Sequence, residues 1–325
     1  MQAPRSAREG VITLPFHVRA TDVVRHIINV DTRFRDTPQL NSQTDFYYSL
    51  LSPIRNVLRV RITSIEFPNN YFIFNKARKN TTITILYTNA SSIATAATIT
   101  IPDGNYNAVD MVSAFTTAIA SNNEISTYLG LTVTFNGSNG KFTITGTKPF
   151  TIDTATGGWD RPFDYGLGYQ MGFSRGLHVA AGTPPPPATA TTYTVSSDGC
   201  ANFAGDNYFF LQVNDLECVK QTVSVYDSSM LQSRRHQNEF TALAKVVIRE
   251  PKNYMSFDDY AGHHAKEFVY TAPTDLTRLR IRVLDAYGEV IDMCTNQFSF
   301  SIEVLEVRNM AVYDAIRDSL ITLTS

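Results

Sequence analysis

Leu58, Val60 and Ile62 alternate with Arg59, Arg61 and Thr63. A period of two predicts a strand with one apolar and one polar face. After Ser64 the apolar set resumes at Ile65 and Phe67 on the opposite parity. A one-residue slip reverses every side chain. Either a bulge at Thr63–Ser64 restores the register, or the strand passes from one sheet to another there. Both devices suit two packed sheets. Strands are predicted at about 26–33, 44–51, 57–67 and 81–88. In the second, Phe46, Tyr48 and Leu50 share a face. Pro53 and Pro68 stand at strand ends, where a missing N–H breaks no ladder.

The pattern changes between 98 and 153. TITIPDGNYN predicts a strand and turn, and AVDMVSAFTTAIA a helix. Asn107 is a good N-cap, with Asp110 three residues on. Val112, Phe115 and Ile119 form its apolar stripe, flanked by Ala114 and Ala118. LTVTF and KFTITG follow as a hairpin around Asn139-Gly140. This β-α-β-β unit reads as an insertion in an otherwise all-β chain. Residues 154–206 are less regular and hold the single tryptophan, Trp159, the phrase GLGYQMGF and GTPPPPATATT. Four consecutive prolines favour polyproline II, as a surface excursion or a contact arm.

From 207 the β pattern returns with NYFFLQVNDL and FTALAKVVI. Leu279, Ile281 and Val283 then alternate with Arg278, Arg280 and Arg282, and Asp285–Gly288 predicts a turn. Phe298, Phe300, Ile302 and Val304 alternate with Ser299, Ser301 and Glu303. Residues 309–320 predict a short amphipathic helix capped by Asn309. Residues 1–25 lack periodicity and carry Arg5, Arg8, Arg19 and Arg25; they read as a plain tail or as an arm docking on a neighbour. No tandem repeat marks a propeller or solenoid.

Composition agrees with an all-β chain: 43% hydrophobic, only 18% charged, 325 residues in all. The net charge of −2 calls for neither nucleic acid nor an anionic membrane. No apolar run is long enough to span a bilayer, and the N-terminus lacks a secretory h-region. Cys200, Cys218 and Cys294 are too widely spaced for a disulfide framework or metal pair. They read as reduced thiols, one cross-link remaining open.

Catalytic signatures are absent: no phosphate-binding glycine loop, no dinucleotide fingerprint, no nucleophile elbow. His263-His264 lacks a metal-ligand context. His17, His26, His178 and His236 are scattered. We therefore expect no catalytic residue, no cofactor and no metal. Asp31 and Asp36 bracket Arg33 and Arg35, which reads better as a strand edge held by local ion pairs than as a carboxylate site. Asp285 and Asp292 suit turns better than a cation. The arginine rows, Arg59 and Arg61 on one strand and Arg278, Arg280 and Arg282 on another, are the candidate site. Like charges on one face must be solvated or paired. They form either a solvated outer face or a subunit interface where arginine meets acidic partners; nucleic acid is disfavoured because the nearby aromatics point inward.

Several segments resemble one family. INVDTRFRD at 28–36, SPIRNVLRVRITSIEFPN at 52–69, ITIPDGNYNAVDMVSAF at 99–115, NGKFTITGTKPFTI at 139–152, LGYQMGF at 167–173, NYFFLQVNDLE at 207–217 and TDLTRLRIRVLDAYGEVIDMCTNQFSFSIEVLE at 274–306 carry the likeness in order. Together they resemble penton and minor capsid proteins of the nucleocytoplasmic large DNA viruses, in particular chlorovirus-like ones with an insertion on a jelly roll. The resemblance implies a single jelly-roll β-sandwich of two antiparallel four-stranded sheets, with an inserted α+β domain and a C-terminal helix. It places an arm at 1–25, the jelly roll at 26–97 and 190–325, and the insertion with the Pro-rich loop at 98–189. It implies a structural, non-enzymatic role in the virion, assembled in the host cytoplasm. Five copies would close a ring at the icosahedral vertex, beside double jelly-roll major capsid protein and other minor capsid proteins. The alternatives are a non-vertex minor capsid protein or a virion-surface glycan or receptor reader, with Trp159, Tyr165 and Tyr169 as an aromatic platform.

Overall fold

The computed structural model describes residues 20–155, 165–183, 191–213, 216, 219–226, 235–250, 254–258 and 266–324. The arm up to residue 19, Trp159, the Pro-rich loop at 184–190, Cys218 and His263-His264 lie outside them. The first strands are β1 (Val23–Asp31), β2 (Asp45–Pro68), β3 (Thr82–Thr88) and β4 (Ala94–Thr100). Helix α1 (Ala108–Ala120) precedes β5 (Thr132–Asn136), β6 (Lys141–Gly146) and β7 (Phe150–Asp153). A short α2 (Leu167–Gln170) leads to β8 (Leu177–Val179), β9 (Ala181–Thr183), β10 (Thr192–Ser196) and β11 (Tyr208–Val213). Then come β12 (Val219–Tyr226), β13 (Arg235–Ala242), β14 (Ala244–Val247), β15 (Met255–Asp258), β16 (Glu267–Leu284), β17 (Ser299–Val307) and α3 (Tyr313–Thr324).

The chain divides into two compact units. The first comprises Met1–Tyr71, Asn207–Gln221 and Glu239–Ser325. Its strands form one antiparallel sheet in the order β1-β17-β2-β16-β11-β14, with β15 also on β2. The expectation of two separate four-stranded sheets is therefore corrected. The two strands expected at 44–51 and 57–67 are one, β2, and it belongs to both layers. β2 and β16 pair from Arg61–Glu267 to Asp45–Arg282, with register shifts between Val269 and Arg278. Such shifts bend a ribbon. One half of the ribbon adds β17 and β1; the other adds β11 and β14. Phe67 in the first half stacks on Phe209 in the second at 4.1 Å. Phe210 is level with Leu284, just past the Asp45–Arg282 pair. A flat ribbon would hold that level more than twenty residues, roughly 70 Å, from Phe67. The sheet thus folds over on itself into a jelly-roll-like sandwich. Its core includes Val30, Phe46, Val60, Phe209, Ile281 and Phe300, all buried.

The parity break in β2 is a bulge. Ser301 faces Ser64 and Ile302 faces Ile62, leaving Thr63 as the extra residue. A second shift sets Leu305 against Arg59 and Glu306 against Val57, which leaves Leu58 unpaired. Leu58 was expected beside Val60 and Ile62. It turns instead to the outer face, where it packs with Leu305, Val307, Tyr313, Ile316 and Leu320. This small cluster seats α3, which begins as a 3-10 turn capped by Asn309.

The second unit comprises Phe72–Asp206 and Thr222–Asn238. Its sheets run β4-β3-β7-β8 and β5-β6-β10-β9, while β12 and β13 pair separately. Asn107 caps α1, accepting from the Asp110 N–H at 2.9 Å. The buried stripe is Met111, Phe115 and Ile119, at i, i+4 and i+8; Val112 is only half-buried, one position off the expected line. In GLGYQMGF, Gly172 has φ +91°, and a Cβ there would lie 2.4 Å from the Gly199 carbonyl oxygen. Only glycine meets both conditions.

Candidate subunit-contact surface

The loop between β1 and β2 is built from the stretch DTRFRD. Asp31 accepts from the Arg33 amide at 2.9 Å and from its guanidinium Nε at 3.0 Å. That guanidinium bond is the main reason the Asp31 carboxyl sits below the ordinary carboxylate range; burial opposes it and the Arg33 amide assists. Arg35 is buried and its donors are spread over four acceptors. It donates to the carbonyls of Thr32 at 2.6 Å, Asn41 at 3.0 Å and Pro38 at 3.1 Å, and to Gln297 Oε1 at 3.2 Å. A buried guanidinium is tolerable only when satisfied in this way. Asp36 does not pair with Arg33 or Arg35. It caps the free edge of β2. Its amide donates to the Tyr47 carbonyl at 2.8 Å, and its carboxylate accepts from the Ser49 hydroxyl at 2.6 Å. Burial raises the Asp36 carboxyl, but Ser49 and the Arg278 guanidinium outweigh it and hold the group below its usual value. An edge occupied in this way is blunted against pairing with another strand.

The five arginines fall into two groups. Arg59 and Arg61 lie on the first-layer half of β2, opposite Val269 and Glu267. Arg59 is only 4% exposed. It donates to Glu303 Oε1 at 2.7 Å and lies 3.5 Å from Glu267; Arg61 reaches Glu303 Oε2 at 3.2 Å. Glu303 thus holds both guanidinium groups within the chain. The signal was present in the pattern, because Glu303 stands on the polar parity of FSFSIEVLEV. What sequence could not show was which strand lies beside β17.

Arg278, Arg280 and Arg282 lie on the other half of the ribbon, opposite Ser49, Tyr47 and Asp45. Leu279, Ile281 and Val283 turn into the core, so the arginines face outward. The Arg278 guanidinium carbon lies 3.9 Å from the centre of the Tyr47 ring, and its Nε lies 3.3 Å from Asp36. Arg280 pairs with Asp45 at 3.3 Å, a hydrogen bond that pushes its own pKa up. Arg282 is half-buried and, among the described residues, has no hydrogen-bond or ion-pair partner. This face combines an aromatic ring with arginines, residue types enriched where proteins meet, beside paired carboxylates.

The remaining candidates have structural partners. Asp285 accepts from the amides of Tyr287 and Glu289, and Asp292 from that of Cys294. Both are turn carboxylates. Neither Cys200 nor Cys294 is in a disulfide among the described residues. His26 Nε2 lies 2.5 Å from Glu306. His178 Nε2 lies 2.8 Å from the Ser174 carbonyl. Among the described residues, no cluster of three or more His, Cys, Asp or Glu could hold a metal. Nor, among the described residues, is any helix long and apolar enough to cross a membrane. A shallow groove in the second unit is lined by Leu86, Ala96, Pro149, Phe150, Thr151 and Val179 among others. It offers no charged group.

No protein-family model and no curated protein matches the chain. Among solved structures it is similar to the mavirus penton protein, with 10% identity, a TM-score of 0.42, and coverage of 87% of this chain and 98% of that one. It is also similar to a chain of the Sputnik virophage, with 12% identity, a TM-score of 0.39, and coverage of 89% and 99%.

Proposed function

We propose that this chain is a structural protein of a viral capsid, a penton-type capsomer that forms a homopentamer at the five-fold vertices. Its neighbours in the shell would be double jelly-roll major capsid protein and other minor capsid proteins. The observation that carries the reading is the sandwich itself. Its two layers share β2 and β16, and the DTRFRD stretch ties the end of β1 to Phe298 and to the Tyr47–Ser49 edge of β2. Those are the segments in which the family resemblance is densest. A sandwich with a continuous core is a rigid tile, and its loops and inserted unit can vary without disturbing it. Each acidic candidate singled out from the sequence is engaged in a turn, an edge or an ion pair. Nor does an observation favour a glycan platform. Tyr165 donates its hydroxyl to the Arg78 carbonyl at 2.9 Å, and Trp159 is outside the described residues.

The native mass of the purified full chain across a range of concentration and salt tests the proposal. We expect a discrete mass of five subunits. A monomer throughout would move the chain to a minor capsid position away from the vertex. A stable dimer or trimer would overturn the five-fold assignment.

A further inference from the structure

We propose that Asn136 is a site of spontaneous deamidation, with water as the only co-reactant. Asn139, the other asparagine followed by glycine, is protected by the fold. The inference does not depend on the capsid reading.

The hairpin from β5 to β6 turns through Asn136, Gly137, Ser138, Asn139 and Gly140, which hold both Asn-Gly pairs of the chain. Asn136 to Asn139 are exposed. Gly140 has a structural reason. Its φ is +68°, and a Cβ there would lie 3.2 Å from the Cys200 Cβ. Gly137 has no such reason. Its φ is not in the left-handed region, and a Cβ there would meet nothing within 4 Å. Turn and packing would both accept a side chain. What glycine does at 137 is leave the backbone nitrogen uncrowded beside the Asn136 side chain.

The reaction is a ring closure. The Gly137 amide nitrogen gives its proton to solvent and bonds to Cγ of Asn136. The Cγ–Nδ2 bond breaks, and Nδ2 leaves as ammonia. Water then opens the resulting succinimide. Opening at Cγ gives aspartate; opening at the Asn136 backbone carbonyl gives isoaspartate. Nothing is oxidised or reduced.

Closure needs a polarised amide and a free nitrogen. The first is common to both sites. Asn136 Oδ1 accepts from the Ser138 amide at 2.9 Å, and Asn139 Oδ1 from the Lys141 amide at 3.1 Å. The nitrogen makes the difference. The Gly140 amide donates to the Asn136 carbonyl at 2.9 Å, and the Gly140 carbonyl accepts from the Ala201 amide at 2.8 Å. The Asn139 carbonyl accepts from Cys200 Sγ at 3.3 Å. Among the described residues, the Gly137 amide has no acceptor. Closure at Asn136 therefore requires only fraying of the hairpin tip, a low-cost local opening. Closure at Asn139 must also break the ties to Cys200 and Ala201.

The product puts a negative charge on a tip that has none. The isoaspartate route also adds a backbone carbon at the end of β5, where Asn136 pairs with Lys141. Phe142 and Ile144, fully buried, keep the rest of the hairpin seated.

The test holds the full-length folded chain in mildly alkaline buffer. Peptide mapping with isoaspartate-specific methylation follows both positions over time. Conversion at 136 should lead that at 139 by at least about tenfold, the factor that a retained hydrogen bond supplies. In urea the two should convert at similar rates, because their local sequences are alike. Gly137→Ala should keep the melting temperature and suppress conversion at 136. Hydrogen exchange at the β5–β6 tip should quicken in the aged unmodified chain and not in that variant. A smaller or reversed lead in the folded chain overturns the proposal. So does an unreactive Asn136 in the folded chain while the chain in urea converts, or undiminished conversion in Gly137→Ala.

Discussion

Phe67 of β2 and Phe209 of β11 stack with ring centroids 4.1 Å apart and planes inclined by 27°. They come from opposite layers of one folded-over sheet, so this pair reports directly that the layers have closed. Phe67 also meets Phe298 at 5.5 Å and Tyr71 at 6.4 Å. Phe67→Ala should cost about 3–5 kcal/mol through lost transfer energy and the cavity left behind. The urea midpoint of the first unit would read this. A loss below about 1 kcal/mol would mean that the layers are held elsewhere.

Among the described residues, the Glu303 carboxylate is the ion-pair partner of the Arg61 guanidinium and the nearer of two for Arg59. Glu303→Leu should be strongly destabilising, by about 3–5 kcal/mol, because it leaves Arg59 buried without its close counter-charge. Adding Arg59→Met and Arg61→Thr should recover most of that loss, since apolar replacement of a buried ion pair is often neutral. Denaturant unfolding of the single and triple variants measures both steps. Failure of the triple variant to recover would show that the charges hold the register of β2 against β17.

Stability should fall at both ends of the pH range. Asp31, Asp36 and Asp198 bind protons less tightly folded than unfolded. Their contribution is complete above the unfolded value of about 3.9 and is lost as pH falls through their lower folded values. Asp36→Asn should therefore lower the melting temperature at pH 7 and make it less sensitive to acid. At the alkaline end, burial first, and then the hydrogen bond to Glu124, pushes the Tyr87 phenol up to about 12. That contribution is complete below the unfolded value of about 10 and is lost as pH rises through the folded one. Tyr87→Phe should flatten the alkaline limb, and melting curves from acid to alkali would show both effects.

Gly172→Ala should loosen the second unit. Its positive φ alone costs a side-chain residue roughly 1–3 kcal/mol, and the added Cβ would meet the Gly199 carbonyl oxygen at 2.4 Å. Hydrogen exchange should quicken in the segments around Gly172 and Gly199 while β1 and β17 keep their protection. Unchanged exchange at both segments would contradict the tight approach.

Sequence by itself determined the longer alternating strands, the helix α1 with its Asn107 cap, the hairpin at Asn139-Gly140 and the parity break in β2, but not β8, β9, β10, β12 or β15. Each depends on residues within a few positions of one another. Alternation is a local consequence of the pleat, and a cap is a local hydrogen bond. It also determined that Arg278, Arg280 and Arg282 leave the core, because Leu279, Ile281 and Val283 must enter it. What the tertiary structure decided is pairing. Glu303 meets Arg59 and Arg61 across 240 residues or more, and no local rule chooses β17 as the neighbour of β2. The second bulge, which turns Leu58 out to α3, follows from the register of that same pairing. The folding of one sheet into two layers was likewise hidden. A continuous strand that serves both layers has the same alternation as two strands, and only the bend at the β2–β16 ribbon tells them apart.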